Sequence, residues 1–165
     1  MKHSDRHNYH ADQIEEDTRL ILGWREWASL PDLNVPAIKV KVDTGAKTSA
    51  IHAFDVERFK RNGNDFLRFG VHPLQKITNL LIECEARLID ERLVSDSGGH
   101  SEMRYVIETP LEICQHRWYV EFTMTNRDSM SFRVLLGRRA MENRAIVDPD
   151  ASFLCGKPDP RTIYK

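Results

Sequence analysis

One short segment combines residue types that can do acid–base chemistry on a substrate. An alternating, strand-like stretch runs into Asp43-Thr44-Gly45-Ala46. A rigid strand would position the Asp43 carboxylate, and Gly45 would allow a tight turn with close backbone approach. Hydroxyls from Thr44 and Ser49 could orient that carboxylate by hydrogen bonding. The segment therefore predicts a general base, although the same residues are also typical of a turn in which aspartate only caps its own backbone.

A second segment, near the C-terminal end, is suited to support such a loop. Leu135 and Leu136 are followed directly by Gly137. A glycine at the end of a strand lets one backbone segment cross closely behind another. The alternative interpretation is an ordinary buried strand that ends in a glycine turn.

The elements that must position these residues are mostly strands. Alternation of apolar and polar residues predicts three of them, over residues 37–42, 82–88 and 118–124. Another extended stretch covers residues 105–114, in which Pro110 predicts an edge or a kink. A helical pattern is confined to residues 137–146. Short, closely spaced strands with few helices predict an all-β barrel or sandwich.

Length and charge limit the classes of protein to consider. The chain has 165 residues, of which 41% are hydrophobic, and this predicts one domain with a real core. We expect a loosely attached arm over residues 1–18 and the folded domain over residues 19–165. Lys and Arg number 24 against 25 Asp and Glu, so no overall basic field favours nucleic acid or an anionic membrane. No apolar run approaches the roughly 20 residues of a membrane span.

The N-terminal residues and the cysteines together predict where the protein is located. The N-terminal residues lack the apolar stretch of a secretion signal. Cys84, Cys114 and Cys155 are odd in number and lack Cys-x-x-Cys spacing, which argues against disulfides and against a zinc ribbon. Both observations predict a cytoplasmic protein.

Taken together and in this order, the segments resemble the retropepsin-like aspartic peptidases. That family has two hydrophobic residues before Asp-Thr-Gly-Ala, then a β flap, and later a hydrophobic-hydrophobic-Gly-Arg segment before a short helix. A closer similarity is to a bacterial subfamily often labelled "ATP-dependent zinc protease". The similar segments are residues 42–54, 88–114, 122–142 and 147–149. The resemblance implies an all-β, closed acid-protease barrel with one short C-terminal helix.

The resemblance also implies a role for each matching residue. Asp43 is expected to be the catalytic carboxylate, and Thr44 is expected to form a hydrogen-bonded grip beside it. Residues around 95–104 would supply the flap. The active-site loop would be supported by Gly45, Ala46, Ser49, Leu135, Leu136 and Gly137. Separately from these matching positions, the candidate substrate contacts are Lys47, Arg104 and Arg138.

Lys47 departs from the family pattern, in which an acidic residue usually follows Asp-Thr-Gly-Ala. A cation at this position could stabilise the ionised form of Asp43 or attract an acidic substrate. The plain alternative is a solvated lysine.

The mechanism implied by the resemblance needs two carboxylates that share one proton. The chain contains one Asp-Thr-Gly, at Asp43. Asp96-Ser97-Gly98 follows 53 residues later (96 − 43), which is too close for a duplicated barrel half, and its residue types favour a flap turn. A homodimer that pairs two copies of Asp43 is the simpler source of the second carboxylate.

Cofactors and partners follow from the same resemblance. The sequence has neither His-Glu-x-x-His nor a phosphate-binding Gly-x-x-x-x-Gly-Lys-Ser/Thr loop, so we expect no cofactor. If zinc is bound, His52 is the first candidate ligand because it is close to Asp43 in sequence. Members of the subfamily tend to be linked with ATP-grasp ligases. The expected partners are thus a peptide or protein substrate, a second copy of the chain, and such a ligase.

The sequence therefore predicts an aspartic endopeptidase with Asp43 as its carboxylate, acting on acidic or glutamate-rich peptides. One alternative is a metal-dependent peptidase on the same barrel. Another is a non-catalytic, peptide-binding partner of an ATP-grasp ligase, in which Asp43 only orders a turn.

Overall fold

A computed structural model describes residues 18–126 and 131–165 of the chain. The expected arm, residues 1–18, lies outside these ranges except for Thr18. The described residues form eleven strands: β1 (Leu20–Gly23), β2 (Arg25–Leu30), β3 (Val35–Val42), β4 (Ser49–His52), β5 (Phe54–Arg61), β6 (Asn64–Val71), β7 (Ile82–Ser95), β8 (Ser101–Ile113), β9 (His116–Thr125), β10 (Val134–Leu136) and β11 (Ala145–Asp148). They also form two α-helices, α1 (Arg138–Met141) and α2 (Pro160–Ile163), and a 3-10 helix (Pro31–Leu33).

Nine of the strands form one sheet that closes on itself. Its order is β2–β3–β10–β4–β9–β8–β7–β6–β5, and an additional pairing of Ser29 with Glu112 joins β2 to β8. Six strands, from β2 to β8 in this order, therefore form a ring from which β7, β6 and β5 extend. The remaining strands, β1 and β11, pair in parallel as a separate two-stranded sheet. The predicted all-β class is confirmed.

The apolar side chains of the alternating pattern fill the interior of the ring. In β3, Ile38 and Val40 are fully buried while Lys41 is exposed. In β9, Trp118, Val120, Phe122 and Met124 are buried while Tyr119 is exposed. Each such aliphatic or aromatic side chain contributes about 1.5–3 kcal/mol on burial. The buried apolar residues form a single cluster, so all strands of the ring share one core.

Pro110 lies inside β8, at the point where that strand changes partners. The pairing of β7 with β8 ends at Ile107, and contact with β2 is made at Glu112. A residue without a backbone N–H is tolerated there because the ladder on that side is interrupted. The sequence prediction of a kink or edge corresponds to this change of partner.

The helices differ from the sequence prediction of one short helix over residues 137–146. Helix α1 is only four residues long, because Asn143 adopts a left-handed conformation with φ of 62° and Ala145–Asp148 pairs with β1 instead. A second short helix, α2, was not predicted. Asp159 caps it by accepting a hydrogen bond from the backbone N–H of Arg161.

The prediction against disulfides is wrong, because Cys114 and Cys155 are joined by one. The two residues are 41 positions apart in sequence, and folding brings their Cα atoms to 4.9 Å. The third cysteine, Cys84, is buried in the core, and burial raises the pKa of its thiol to about 12. An odd count thus reflects one pair and one inert thiol, and it gives no support to a reducing location.

A buried carboxylate holds the C-terminal segment against the barrel. Glu26 is fully buried, and its oxygens accept hydrogen bonds from the backbone N–H groups of Gly23 at 2.7 Å and of Leu154 and Cys155 at 3.1 Å each. Together with the disulfide, these bonds fix the chain after β11. None of the helices in the described part of the chain has the length and apolar character needed to cross a membrane.

Candidate active site

The backbone of Asp43 is held from both sides where β3 ends. The N–H of Val42 donates to the carbonyl of Trp24 at 2.8 Å, and the N–H of Asp43 donates to the carbonyl of Leu136 at 2.9 Å. The side chain of Asp43 is partly exposed and faces a cleft of about 650 Å³. The sheet therefore fixes the origin of this carboxylate while leaving it accessible.

The loop after Asp43 folds back on the carboxylate. One oxygen, Oδ1, accepts hydrogen bonds from the backbone N–H groups of Gly45 at 2.9 Å and Ala46 at 3.2 Å. The same hydrogen bonds are expected for a turn in which Asp43 only caps its own backbone, which is the alternative to catalysis stated above. They involve a single carboxylate oxygen, so the turn orients the group and does not exclude chemistry at the other oxygen.

Strand β10 crosses directly behind this loop. Leu136 pairs in parallel with Val42, and Leu135 pairs with Ala50 on the other side. The N–H of Gly137 then donates to the buried hydroxyl of Ser49 at 3.0 Å. A Cβ on Gly137 would lie 2.5 Å from the carbonyl carbon of Thr48, so only glycine fits this crossing.

The start of α1 fastens the loop from the other end. The backbone N–H of Arg138 donates to the carbonyl of Ala46 at 2.7 Å, and the backbone N–H of Arg139 donates to the carbonyl of Lys47 at 3.1 Å. The guanidinium of Arg138 reaches the carbonyl of Thr44 at 3.0 Å. Arg138, a predicted substrate contact, therefore lies against the loop backbone in the single chain.

The hairpin of β7 and β8 faces Asp43 across the cleft, where the flap was predicted. Its tip is shaped by Asp96, whose Oδ1 accepts hydrogen bonds from the N–H groups of Gly98 and His100, both at 2.9 Å. The structure thus places Asp96-Ser97-Gly98 in the flap turn. Near the tip, the cross-strand neighbours Leu93 and Met103 are 66% and 62% exposed, so the flap presents apolar side chains to solvent.

Four cations line the cleft: Lys47, Arg92, Arg104 and Arg139. Two of them are neutralised by neighbours, because Arg92 pairs with Asp90 and Glu121 at 2.7 and 2.8 Å, and Arg104 pairs with Glu102 at 2.6 Å. The hydrogen bonds from Glu121 and Asp90 raise the pKa of Arg92.

Lys47 and Arg139 are both exposed, and neither forms an ion pair with any residue in the described ranges. These two positive charges are therefore available to an anionic ligand beside Asp43.

Arg139 was missed by sequence reasoning, which selected Arg138 as the substrate contact. The sequence does hold a signal for Arg139, because Arg138 and Arg139 both lie in the first turn of a helix that starts directly behind the Asp43 loop. Which of two adjacent arginines faces the cleft depends on the helix phase, and the phase is set by the hydrogen bonds of Arg138 and Arg139 to the loop carbonyls.

Thr44 and His52 lie in different environments. Thr44 is exposed at the loop surface, while His52 is buried at the end of β4. In residues 18–126 and 131–165, no three His, Cys, Asp or Glu side chains are grouped so that they could hold a metal ion. The zinc role of His52 stays a prediction.

Comparison with known proteins identifies similar sequences. A sequence model of the RimB-like family, described as retropepsin-like aspartic endopeptidase RimB, matches residues 21–158. A protein from Shewanella halifaxensis named "Probable alpha-L-glutamate ligase" is 47% identical over 141 residues, and one of the same name from Desulfotalea psychrophila is 42% identical over 151 residues. The matches cover 86% and 92% of this chain but 31% and 32% of those proteins. The chain thus spans about a third of the length of these curated relatives.

A solved structure has the same fold. The crystal structure of protein Lpg0085 from Legionella pneumophila, a protein of unknown function, matches with a TM-score of 0.70 and 26% sequence identity. The match covers 82% of this chain and 97% of that one. Nearly the whole of that protein therefore corresponds to the barrel described above.

The crossing at Gly137 generates a prediction about stability. Replacement Gly137→Ala should lower the free energy of unfolding by about 2–3 kcal/mol, because the added Cβ meets the rigid backbone of Thr48 and Ser49. Gly98→Ala is the matched control, since its Cβ would meet only side-chain atoms, the nearest at 3.3 Å. Urea unfolding of both variants measures the difference. Equal stability of Gly137→Ala and wild type would contradict the close crossing.

Proposed function

The chain belongs to the RimB-like family of retropepsin-like aspartic endopeptidases, and we propose that it hydrolyses peptide bonds with Asp43 as the catalytic carboxylate. The observation that carries this proposal is the placement of Asp43. Its carboxylate is oriented by two backbone N–H groups, at the floor of a cleft and opposite a β hairpin. A surface aspartate that only capped a turn would need neither the cleft nor the strand crossing behind it.

The proposed site is completed by a second copy of the chain. Two Asp43 carboxylates close together would share one proton, because neighbouring like charges cannot easily both ionise. The ionised one takes a proton from water as the water oxygen attacks the scissile carbonyl carbon. The protonated one donates to the carbonyl oxygen, and the proton held by the base then passes to the leaving nitrogen as the C–N bond breaks. The exposed Thr44 beside each Asp43 is free to form the predicted grip with its counterpart.

The proposed substrates are acidic peptides, with glutamate-rich peptides as the first candidates. Lys47 and Arg139 line the Asp43 cleft and form no ion pair within the described ranges, in a chain whose overall charge is −1. A local patch of this kind attracts anions without a global field. The names of the relatives favour the same substrate class, because proteins called probable alpha-L-glutamate ligases contain a region similar to this chain. We propose that the chain works beside such an ATP-grasp ligase in the cytoplasm.

A second candidate function is a non-catalytic, peptide-binding partner of the ligase. It is favoured by the engagement of Asp43 Oδ1 in a turn and by the names of the relatives. A metal-dependent peptidase on the same barrel is the third candidate, and a chelator separates it from the other two.

Loss of the Asp43 charge gives the most direct activity test. Asp43→Asn should lower turnover of a glutamate-rich peptide by about three orders of magnitude, because an amide cannot act as a general base. The matched control is Asp150→Asn, which changes an exposed acid outside the cleft and should retain turnover. Circular dichroism checks that both variants are folded. Near-wild-type turnover by folded Asp43→Asn would refute the assignment, and activity lost with a chelator would favour the metal-dependent alternative.

Dependence on protein concentration tests the homodimer. Since each chain supplies one Asp-Thr-Gly, specific activity should fall when the protein is diluted below the dimer dissociation constant. Sedimentation velocity at the same concentrations gives the fraction of dimer, and activity should follow that fraction. Constant specific activity from a monomeric species would contradict a dyad built from two chains.

Charge reversal in the cleft tests the substrate class. Lys47→Glu and Arg139→Glu should each raise KM for a glutamate-rich peptide about tenfold and leave KM for a neutral peptide nearly unchanged. Added salt should narrow the gap between the two peptides. Lys41→Glu is the matched control, since Lys41 is exposed on β3 but does not line the cleft. Equal, salt-independent effects on both peptides would mean that these cations do not select acidic substrates.

A further inference from the structure

A second cleft, of about 690 Å³, lies over the outer face of β2 and β3 and shares no lining residue with the cleft of Asp43. We infer that it binds a peptide segment of another protein, one in which a large apolar side chain is flanked by carboxylates. Peptide hydrolysis at Asp43 does not use this cleft.

The floor of the cleft is an aromatic ring beside a lysine. Trp27 and Lys39 are directly paired across the β2–β3 ladder, so their side chains share one face of the sheet. The ammonium nitrogen of Lys39 lies 5.4 Å from the centroid of the Trp27 ring. Both side chains are half-buried, which leaves an apolar surface and a positive charge accessible together.

One wall is the loop between β6 and β7. It contributes Leu74, Ile77 and Leu80, and Ile77 is 44% exposed. The side chain of Gln75 connects the loop to two other segments: its amide nitrogen donates to the carbonyl of Ser131, in the segment before β10, and its oxygen accepts a hydrogen bond from Lys39 on β3 at 3.4 Å. The wall therefore presents aliphatic side chains from a loop that is anchored at its centre.

The opposite wall is the end of the chain around α2. The hydroxyl of Tyr164 donates to the carbonyl of Ala37 and accepts a hydrogen bond from the N–H of the same residue at 3.1 Å. Burial raises the pKa of Tyr164, which keeps this hydroxyl protonated. Glu26 and the disulfide at Cys155 hold the preceding segment. The cleft is thus preformed, as ligand sites of this size usually are.

The positive charge of the residues that line the cleft favours a ligand with carboxylates on either side of its apolar side chain. Asp159 is engaged by Arg161 at 3.2 Å, and hydrogen bonds from Arg161 lower the pKa of Asp159. Within the described ranges, Lys39 and Lys76 form no ion pair. Three cations and one acid line the cleft, which leaves a net charge of +2 (3 − 1) beside an apolar surface. An apolar side chain flanked by carboxylates complements both features.

The test uses the full-length Asp43→Asn protein, so that the probe peptides are not cleaved. The protein is labelled with ¹⁵N, and the indole N–H signals of its three tryptophans are followed by NMR; Trp27→Phe assigns the signal of Trp27. The probe is the capped peptide acetyl-Glu-Leu-Glu-Glu-amide. It should shift the Trp27 signal in a saturable manner and leave that of Trp118, which bonds to Ala140 elsewhere in the fold, unchanged. Two matched peptides replace leucine by glycine or every glutamate by glutamine, and each should bind at least about tenfold more weakly.

Protein variants distinguish peptide binding at the Trp27 cleft from peptide binding at the Asp43 cleft. Lys39→Glu combined with Lys76→Glu should weaken the Trp27 response about tenfold, and Ile77→Ser, at a position that is 44% exposed, should do so with only a small loss of stability. Lys47→Glu should leave the Trp27 response unchanged, because Lys47 lines only the Asp43 cleft. An unshifted Trp27 signal would overturn the inference. So would a Trp27 response that is insensitive to the lysine pair, or a Trp27 signal that moves with protein concentration alone, which would assign the face to a second copy of the chain.

Discussion

The three-residue strand β10 is the constraint on which the rest of the site depends. It lies between β3 and β4, and its carbonyl at Leu136 accepts the hydrogen bond from Asp43. It can lie there only because Gly137, which has no side chain, passes against the backbone of Thr48. Helix α1 then begins at once and binds the carbonyls of Ala46 and Lys47. A single crossing thus sets the direction of the carboxylate and the path of the loop around it, and it places Arg139 at the cleft.

Charge gives the two clefts a common character in a chain that is nearly neutral overall. Around Asp43, local carboxylates neutralise Arg92 and Arg104, and this leaves Lys47 and Arg139 for a ligand. Over β2 and β3, Asp159 neutralises Arg161 and leaves Lys39 and Lys76. The first cleft contains a carboxylate that can do chemistry, whereas the second combines its charge with the ring of Trp27. We therefore propose hydrolysis of an acidic peptide at the first cleft and recognition of an acidic, apolar segment at the second.

The sequence predicts those features that depend on local pattern and misses those that depend on pairing between distant residues. Alternation located β3, β7 and β9, and the Asp43 and Gly137 motifs located the loop and the crossing behind it. The four-residue length of α1 was not predictable, because Ala145–Asp148 leaves the helical pattern to pair with β1. The disulfide between Cys114 and Cys155 was missed for the same reason. Arg139 was missed because the phase of α1 is fixed by loop carbonyls that sequence spacing does not reveal.

In the proposed mechanism two copies of Asp43 act as one site, and a mixing experiment tests this most directly. Wild-type and Asp43→Asn chains carrying different tags are combined at fixed total concentration, and native mass spectrometry verifies that subunits have exchanged. If the dyad needs one Asp43 from each chain, activity falls as the square of the wild-type fraction, so about a quarter remains in an equal mixture. Activity that falls in direct proportion to the wild-type fraction, with about half remaining, would show that each chain works alone and would contradict the account.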